Sequence, residues 1–295
     1  MQATSKGFRA GIDIGGTFTD FILFDEGNAA IRLHKCLTTP ADPSRGALSG
    51  LADLMSAAGI GVGELDEVVH GTTLVTNAVI ERNGAPVGLI TTEGFRDVLE
   101  IGVEQRYDIY DLFLTFPEPL VRRSRRLEIA ERVGADGGVI KPLDDISVLR
   151  AVKKLVADKV EAIAVCLMHS YRNPDHEQRV RALIKEHYPQ ISVSISSEVV
   201  AEISEYQRFV TTCANAYVQP LMDRYLSRLQ QELTARGFRG ALRMMHSAGG
   251  LVSLDEAREF PIRLLESGPA GGALATAWFG REAGKDNVIA FDMGG

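Results

Sequence analysis

Along Arg9–Phe24 an apolar run ends in Asp13, two glycines and two threonines follow, and a second apolar run begins at Phe21. That pattern predicts a strand, a tight turn and a returning strand. Residues 30–37 can supply a third strand, and Asp42-Pro43-Ser44 introduces a helix with Ala47, Leu48, Leu51, Leu54 and Met55 at apolar spacing. Residues 67–69 read as a short strand delivering His70-Gly71-Thr72-Thr73. Either threonine can cap a helix running to about Arg82, with Gly84 as its left-handed end. A strand over 86–91 and a short helix over 94–100 come next, and 105–117, rich in aromatics and proline without period, reads as an ordered loop.

The alternation then continues. Residues 125–133 predict a strand, 134–138 a turn, and Asp144 or Asp145 opens a helix with Ile146, Leu149, Val152, Leu155 and Val156 on one face. A buried strand over 162–168, a helix over 174–187 and a strand over 191–195 lead to a long helical pattern from Glu205, which Pro220 should kink or divide. A strand at 242–245, a Gly249-Gly250 turn and a helix whose first residue is Pro269 follow; Gly271 and Gly272 there serve either an anion contact or close helix packing. Strands alternating with helices over 295 residues make an α/β chain of about two folding units, divided near 188–200.

Composition narrows the classes of function. With 45% hydrophobic and 24% charged residues and a formal net charge of −7, the chain has no general attraction for nucleic acid or anionic membranes. No apolar run has the length of a membrane span, and the N-terminus lacks the apolar core of a secretion signal, so the expected location is the cytoplasm. Cys36, Cys166 and Cys213 are too dispersed for a disulfide framework or a zinc site and read as buried thiols. A Walker phosphate loop, a His-Glu-x-x-His helix and a Gly-x-Ser-x-Gly elbow are all absent.

The chemistry gathers at the first turn. Gly15 and Gly16 can adopt backbone angles that other residues avoid and let N–H groups approach an anion. Thr17 and Thr19 add hydroxyls, and Asp13 and Asp20 add carboxylates able to hold a divalent cation. The segment 287–295 repeats the pattern of an apolar strand, Asp292, one residue and Gly294-Gly295. Two such turns resemble the phosphate turns of the actin-like ATPase and sugar-kinase superfamily, whose two lobes point one turn each at ATP.

Six blocks carry a closer resemblance: Gly11-Ile-Asp-Ile-Gly-Gly-Thr-Phe-Thr-Asp20, His70-Gly-Thr-Thr-Leu-Val-Thr-Asn77, Leu89-Ile-Thr-Thr-Glu-Gly-Phe-Arg-Asp97, His169-Ser-Tyr-Arg-Asn-Pro174, Thr212-Cys-Ala-Asn-Ala-Tyr-Val218 and Glu266-Ser-Gly-Pro-Ala-Gly-Gly272. Together they resemble the hydantoinase A and 5-oxoprolinase family, with its N-terminal domain over 7–185 and the start of the hydantoinase A domain over 195–295. Gly102-Val-Glu-Gln-Arg106 departs from the Gly-Arg-Gln-x-Arg of many members, so no individual substrate is transferred.

The resemblance implies an actin-like ATPase (ribonuclease H-like) lobe, a mixed β-sheet with flanking helices, and a second lobe only partly present. It implies ATP-dependent opening of a cyclic amide, with Mg2+, and a hydantoinase B type partner subunit. On that reading Gly15, Gly16, Thr17, Thr19, Gly294 and Gly295 hold phosphates, Asp13 and Asp292 are the catalytic, magnesium-binding carboxylates, and His70, Thr72 and Thr73 lie on the substrate side. Two alternatives stand beside it. One is a subunit of an acetone- or acetophenone-type carboxylase; the other is a non-catalytic half of the nucleotide clamp, truncated at Gly295.

Overall fold

A computed structural model describes residues 7–39, 42–103 and 108–291. The chain opens with β1 (Phe8–Ile14), β2 (Phe18–Asp25), β3 (Ala30–Leu37), α1 (Pro43–Ala58), β4 (Leu65–Thr72) and α2 (Leu74–Ile80). It continues with β5 (Val87–Thr92), α3 (Val98–Ile101), β6 (Arg126–Ile129), β7 (Arg132–Val133), β8 (Val139–Lys141), α4 (Asp145–Ala157), β9 (Ala162–Cys166), α5 (Asp175–His187), β10 (Ser192–Ile195) and α6 (Ser196–Val199). Then come α7 (Glu205–Ala235), β11 (Ala241–Met245), β12 (Leu251–Ser253), α8 (Leu254–Glu259) and α9 (Ser267–Glu282). Among the described residues no helix is long and apolar enough to cross a membrane.

These elements form two compact units, Met1–Glu81 with Leu221–Gly295, and Arg82–Pro220. Residues 188–200, the expected boundary, lie inside the second unit. The reason is strand pairing: β11 lies parallel to β4, with Ala241 beside Glu67 and Met244 beside His70, which returns the later segment to the first sheet. Pro220 does not divide α7, which runs unbroken through it.

In the first unit a mixed sheet runs in the order β12-β11-β4-β1-β2-β3. β1 is antiparallel to β2 and parallel to β4. Ala10, Ile12 and Ile14 are buried, whereas Asp13 is exposed on the opposite face, the period of two that a half-covered strand requires. α1 packs very closely on the buried face: a Cβ at Gly50 would stand 2.4 Å from the Phe21 ring. Asp42 precedes α1 without capping it, because its carboxylate accepts a hydrogen bond from Ser44 Oγ at 2.5 Å.

The second unit is built on four parallel strands in the order β10-β9-β5-β6. Asp144 caps α4, accepting from the Ile146 N–H at 3.0 Å. The buried face of α4 is Val148, Ala151, Val152 and Leu155, and Ile146 is 68% exposed. This face is rotated from the predicted one because the small Ala151 completes the i, i+3, i+4, i+7 stripe that the larger side chains alone suggest elsewhere. The expected strand over 125–133 is interrupted: β6 joins the parallel sheet and β7 pairs with β8. Arg82, not Gly84, has the left-handed backbone (φ 58°), and Gly84 is needed because a Cβ there would meet the Tyr217 ring at 2.3 Å. Residues 108–117 contain no helix or strand, as read from the sequence, and 104–107 lie outside the described residues.

The Gly50 contact is directly testable. Gly50→Ala gains about 1 kcal/mol of helix propensity but overpacks the α1–sheet contact by about 1–3 kcal/mol. The expected result is a lower thermal midpoint by circular dichroism; a raised midpoint would refute the close approach.

Candidate functional site

The hairpin tip is held from behind by one residue just beyond β3. The Thr38 N–H donates to the Thr17 carbonyl at 2.9 Å, and its hydroxyl donates to the Gly15 carbonyl at 2.9 Å. Gly15 N–H closes the turn on the Phe18 carbonyl at 2.9 Å. Thr19 is fully buried, with Oγ1 3.0 Å from Thr38 Oγ1, so its hydroxyl braces the turn from inside. Gly16 and Thr17 remain exposed, and their N–H groups have no acceptor among the described residues. Neither Gly15 nor Gly16 has a positive φ, contrary to the expected use of their backbone freedom. A Cβ at Gly16 would meet nothing within 4 Å. Neither backbone angle nor crowding within the described chain therefore requires glycine at this position.

Beside the tip, Asp13 is exposed and lies between Asp20 on β2 and Gly71 on β4 in strand register. A Cβ at Gly71 would stand 3.0 Å from Asp13 Oδ1, so the glycine makes room for this carboxylate. Facing carboxylates on neighbouring strands repel. Lys35 offsets that repulsion, with Nζ 2.9 Å from Asp20 Oδ1. Asp13 and Asp20 open onto a cavity of about 720 Å³ between this face of the sheet and α9. Ser267, Gly268, Gly271 and Gly272 line its other wall.

α9 starts at Ser267, two residues before the expected Pro269, and Ser267 Oγ donates to the Thr72 carbonyl at 3.3 Å. Cβ atoms at Gly268 or Gly272 would meet nothing, and one at Gly271 only Met245 at 3.7 Å. Close packing in the described chain is thus not what selects these glycines. Asp292, Gly294 and Gly295, the second predicted turn, lie outside the described residues.

The three residues assigned to the substrate side occupy structural positions. His70 is fully buried: Nδ1–H donates to the Ile12 carbonyl at 3.1 Å, and Nε2 accepts from the Tyr225 hydroxyl at 2.6 Å. Burial lowers its pKa to about 4, the Ile12 bond opposing only in part, and burial likewise pushes the Tyr225 phenol up. Thr72 is buried, its hydroxyl accepting from the Leu74 N–H at 3.2 Å. Thr73 precedes α2 and donates both its N–H and its hydroxyl to the Ile14 carbonyl, each at 3.1 Å. These bonds fix the end of β1 and hence the tip.

Sequence reading missed Thr38, Lys35 and Tyr225. Counting the β2–β3 register pairs Lys35 with Asp20, but no local pattern marks Thr38 or Tyr225. Among the described residues no three His, Cys, Asp or Glu side chains converge as a metal cage.

Residues 9–188 match the family described as Hydantoinase/oxoprolinase N-terminal region, and residues 208–295 match Hydantoinase/oxoprolinase. The chain belongs to the hydantoinase/oxoprolinase family. Caprolactamase subunit alpha of Pseudomonas jessenii is 38% identical over 98% of this chain and 42% of its own length. The acetophenone carboxylase gamma subunit of Aromatoleum aromaticum is 36% identical over 96% of this chain and 41% of its own. The crystal structure of ATP-dependent caprolactamase from Pseudomonas jessenii superposes with a TM-score of 0.88 at 37% identity, covering 97% of this chain and 42% of that one. The chain thus spans about two-fifths of the length of these relatives.

For this hydantoinase/oxoprolinase member, the buried imidazole predicts a pH dependence of stability. A folded-state value near 4, below the unfolded 6.5, means that protons favour the unfolded chain. The His70 contribution is fully present above pH 6.5 and is lost as the pH falls toward 4, by about 3 kcal/mol in all. Denaturant titrations between pH 7 and 4.5 should show a shallower pH slope for His70→Gln than for the parent; equal slopes would overturn the buried neutral assignment.

Proposed function

We propose that this chain forms the nucleotide-handling part of an ATP-dependent cyclic amidase that opens a hydantoin or lactam ring. The observation that carries the reading is the β1–β2 tip: two exposed N–H groups without acceptors among the described residues, a glycine with no described atom in front of it, and Asp13 alongside. A sheet of three antiparallel strands followed by parallel β4 and β11 supports assigning the first unit to an actin-like ATPase (ribonuclease H-like) lobe. The family segments 7–185 and 195–295 are proposed to be the N-terminal domain and the start of the hydantoinase A domain.

Amide resonance makes the ring carbonyl a poor electrophile. Transfer of the γ-phosphoryl group from ATP to the amide oxygen releases ADP and creates a carbon that water attacks. The C–N bond of the tetrahedral adduct then breaks, the ring nitrogen leaving as a protonated amine, and a second water cleaves the resulting acyl phosphate to carboxylate and phosphate. Phosphoryl transfer has a loose transition state, so the protein mainly positions groups and neutralises charge. Gly15, Gly16 and Thr17 are assigned to the phosphates, with Thr19 bracing them from beneath. Mg2+ characteristically takes one or two carboxylates and completes its shell with phosphate and water. Asp13, with Asp292 from the second turn and Asp20 at the cavity wall, fits that demand, and the ion would neutralise phosphate charge. Gly294 and Gly295 complete the proposed clamp, and Thr72, Thr73 and His70 hold its near side in place.

A second, hydantoinase B type subunit is proposed as partner, since both relatives are named as subunits. Use of ATP points to the cytoplasm. The acetophenone carboxylase relative supports a second reading, in which ATP activates a ketone or bicarbonate; bicarbonate-dependent ATP turnover distinguishes it from amide opening.

Asp13→Asn in the full-length protein with its partner should lower lactam-dependent phosphate release about a hundredfold or more; unchanged release would remove Asp13 from the site. Gly16→Ala should leave the melting curve within about 1 kcal/mol of the parent and weaken ATP binding in calorimetry. Equal ATP affinity would show that nothing approaches the tip.

A further inference from the structure

The second unit contains a separate cavity of about 460 Å³ beside the start of β6. Arg126 lines it and is only 1% exposed. Its Nε donates to the Val121 carbonyl at 2.9 Å and its Nη2 meets Glu100 Oε1 at 3.0 Å, while Nη1 is shielded from solvent with no hydrogen-bond partner among the described residues. A buried guanidinium with an idle nitrogen is costly, because it has given up water without replacing it. Glu100 is the movable member of the pair, its side chain 47% exposed. Arg122, exposed on the rim, pairs with no described carboxylate, whereas the neighbouring Arg123 is held bidentately by Asp97 at 2.8 Å. Phe116, Pro117 and Pro119 supply an apolar wall.

We propose that this cavity binds a small organic monocarboxylate. Its carboxylate exchanges with Glu100 on the Nη1/Nη2 edge of Arg126, the planar fork that guanidinium offers to carboxylate. Arg122 closes over the second oxygen, and the apolar body of the ligand lies against Phe116, Pro117 and Pro119. Glu100 and Glu118 on the same wall disfavour a phosphate dianion more than a single negative charge.

The test measures binding of benzoate, hexanoate and inorganic phosphate to the purified chain by calorimetry and saturation-transfer NMR, without ATP. Benzoate or hexanoate should bind saturably and phosphate should not. Arg122→Gln should weaken carboxylate binding about tenfold, the loss of one charge-assisted hydrogen bond. Glu100→Gln should tighten it, because the internal competitor is gone, a change that a purely structural Glu100 would not produce. Arg126→Lys should abolish it. Should Arg126→Lys fail to fold, the two exposed variants decide. Absence of saturable carboxylate binding, phosphate binding of equal strength, or indifference to both Arg122→Gln and Glu100→Gln would overturn the proposal.

Discussion

One buried imidazole joins three elements of the first unit. His70 belongs to β4, donates to Ile12 of β1, and accepts from Tyr225 of α7. Each partner lies far away in sequence, yet both ring nitrogens are satisfied only if all three elements are correctly placed. In a low-dielectric interior such a fully satisfied polar contact specifies one arrangement, because a half-made version leaves a desolvated nitrogen behind. The register of β1 on β4, and with it the position of Asp13 beside Gly71, follows from the same constraint.

From there the candidate site is assembled by backbone. Thr73 fastens the end of β1, Thr38 fastens both sides of the turn, and Ser267 ties the start of α9 to the end of β4. Threonine and serine hydroxyls do this work from within, leaving the outward surface of the tip to main-chain N–H groups. Such a surface suits an anion whose charge is spread over several oxygens, since fixed dipoles need no reorganisation when it arrives.

Much of this was legible in the residues themselves. Two apolar runs around a Gly-Gly turn marked β1 and β2, residues 30–37 read as the third strand, β3, and Asp144 marked the start of α4, because those signals are local. What escaped was set by distant neighbours. His70 sits in a polar-looking motif, and only the arrival of Tyr225 from α7 makes it an interior residue. Gly84 looked like a helix terminator but is demanded by the Tyr217 ring. Gly15 and Gly16 suggest unusual backbone angles, yet neither has a positive φ, and a Cβ at Gly16 would meet nothing within 4 Å among the described residues. The division at 188–200 failed because β4 pairs with a strand far downstream, which no local pattern announces.

That long-range pairing has a consequence for biosynthesis. The inserted unit, Arg82–Pro220, emerges from the ribosome before β11 exists. At about 5–20 residues per second, the edge of β4 waits on the order of ten to thirty seconds for its partner. Meanwhile the insert has a complete parallel sheet of its own and can fold, its entry and exit pinned by the Ala85 N–H to Tyr217 carbonyl bond at 2.9 Å. The nascent protein therefore carries an unpaired, template-like strand edge throughout that interval. How long that edge stays open is set by the speed of translation rather than by the stability of the finished fold.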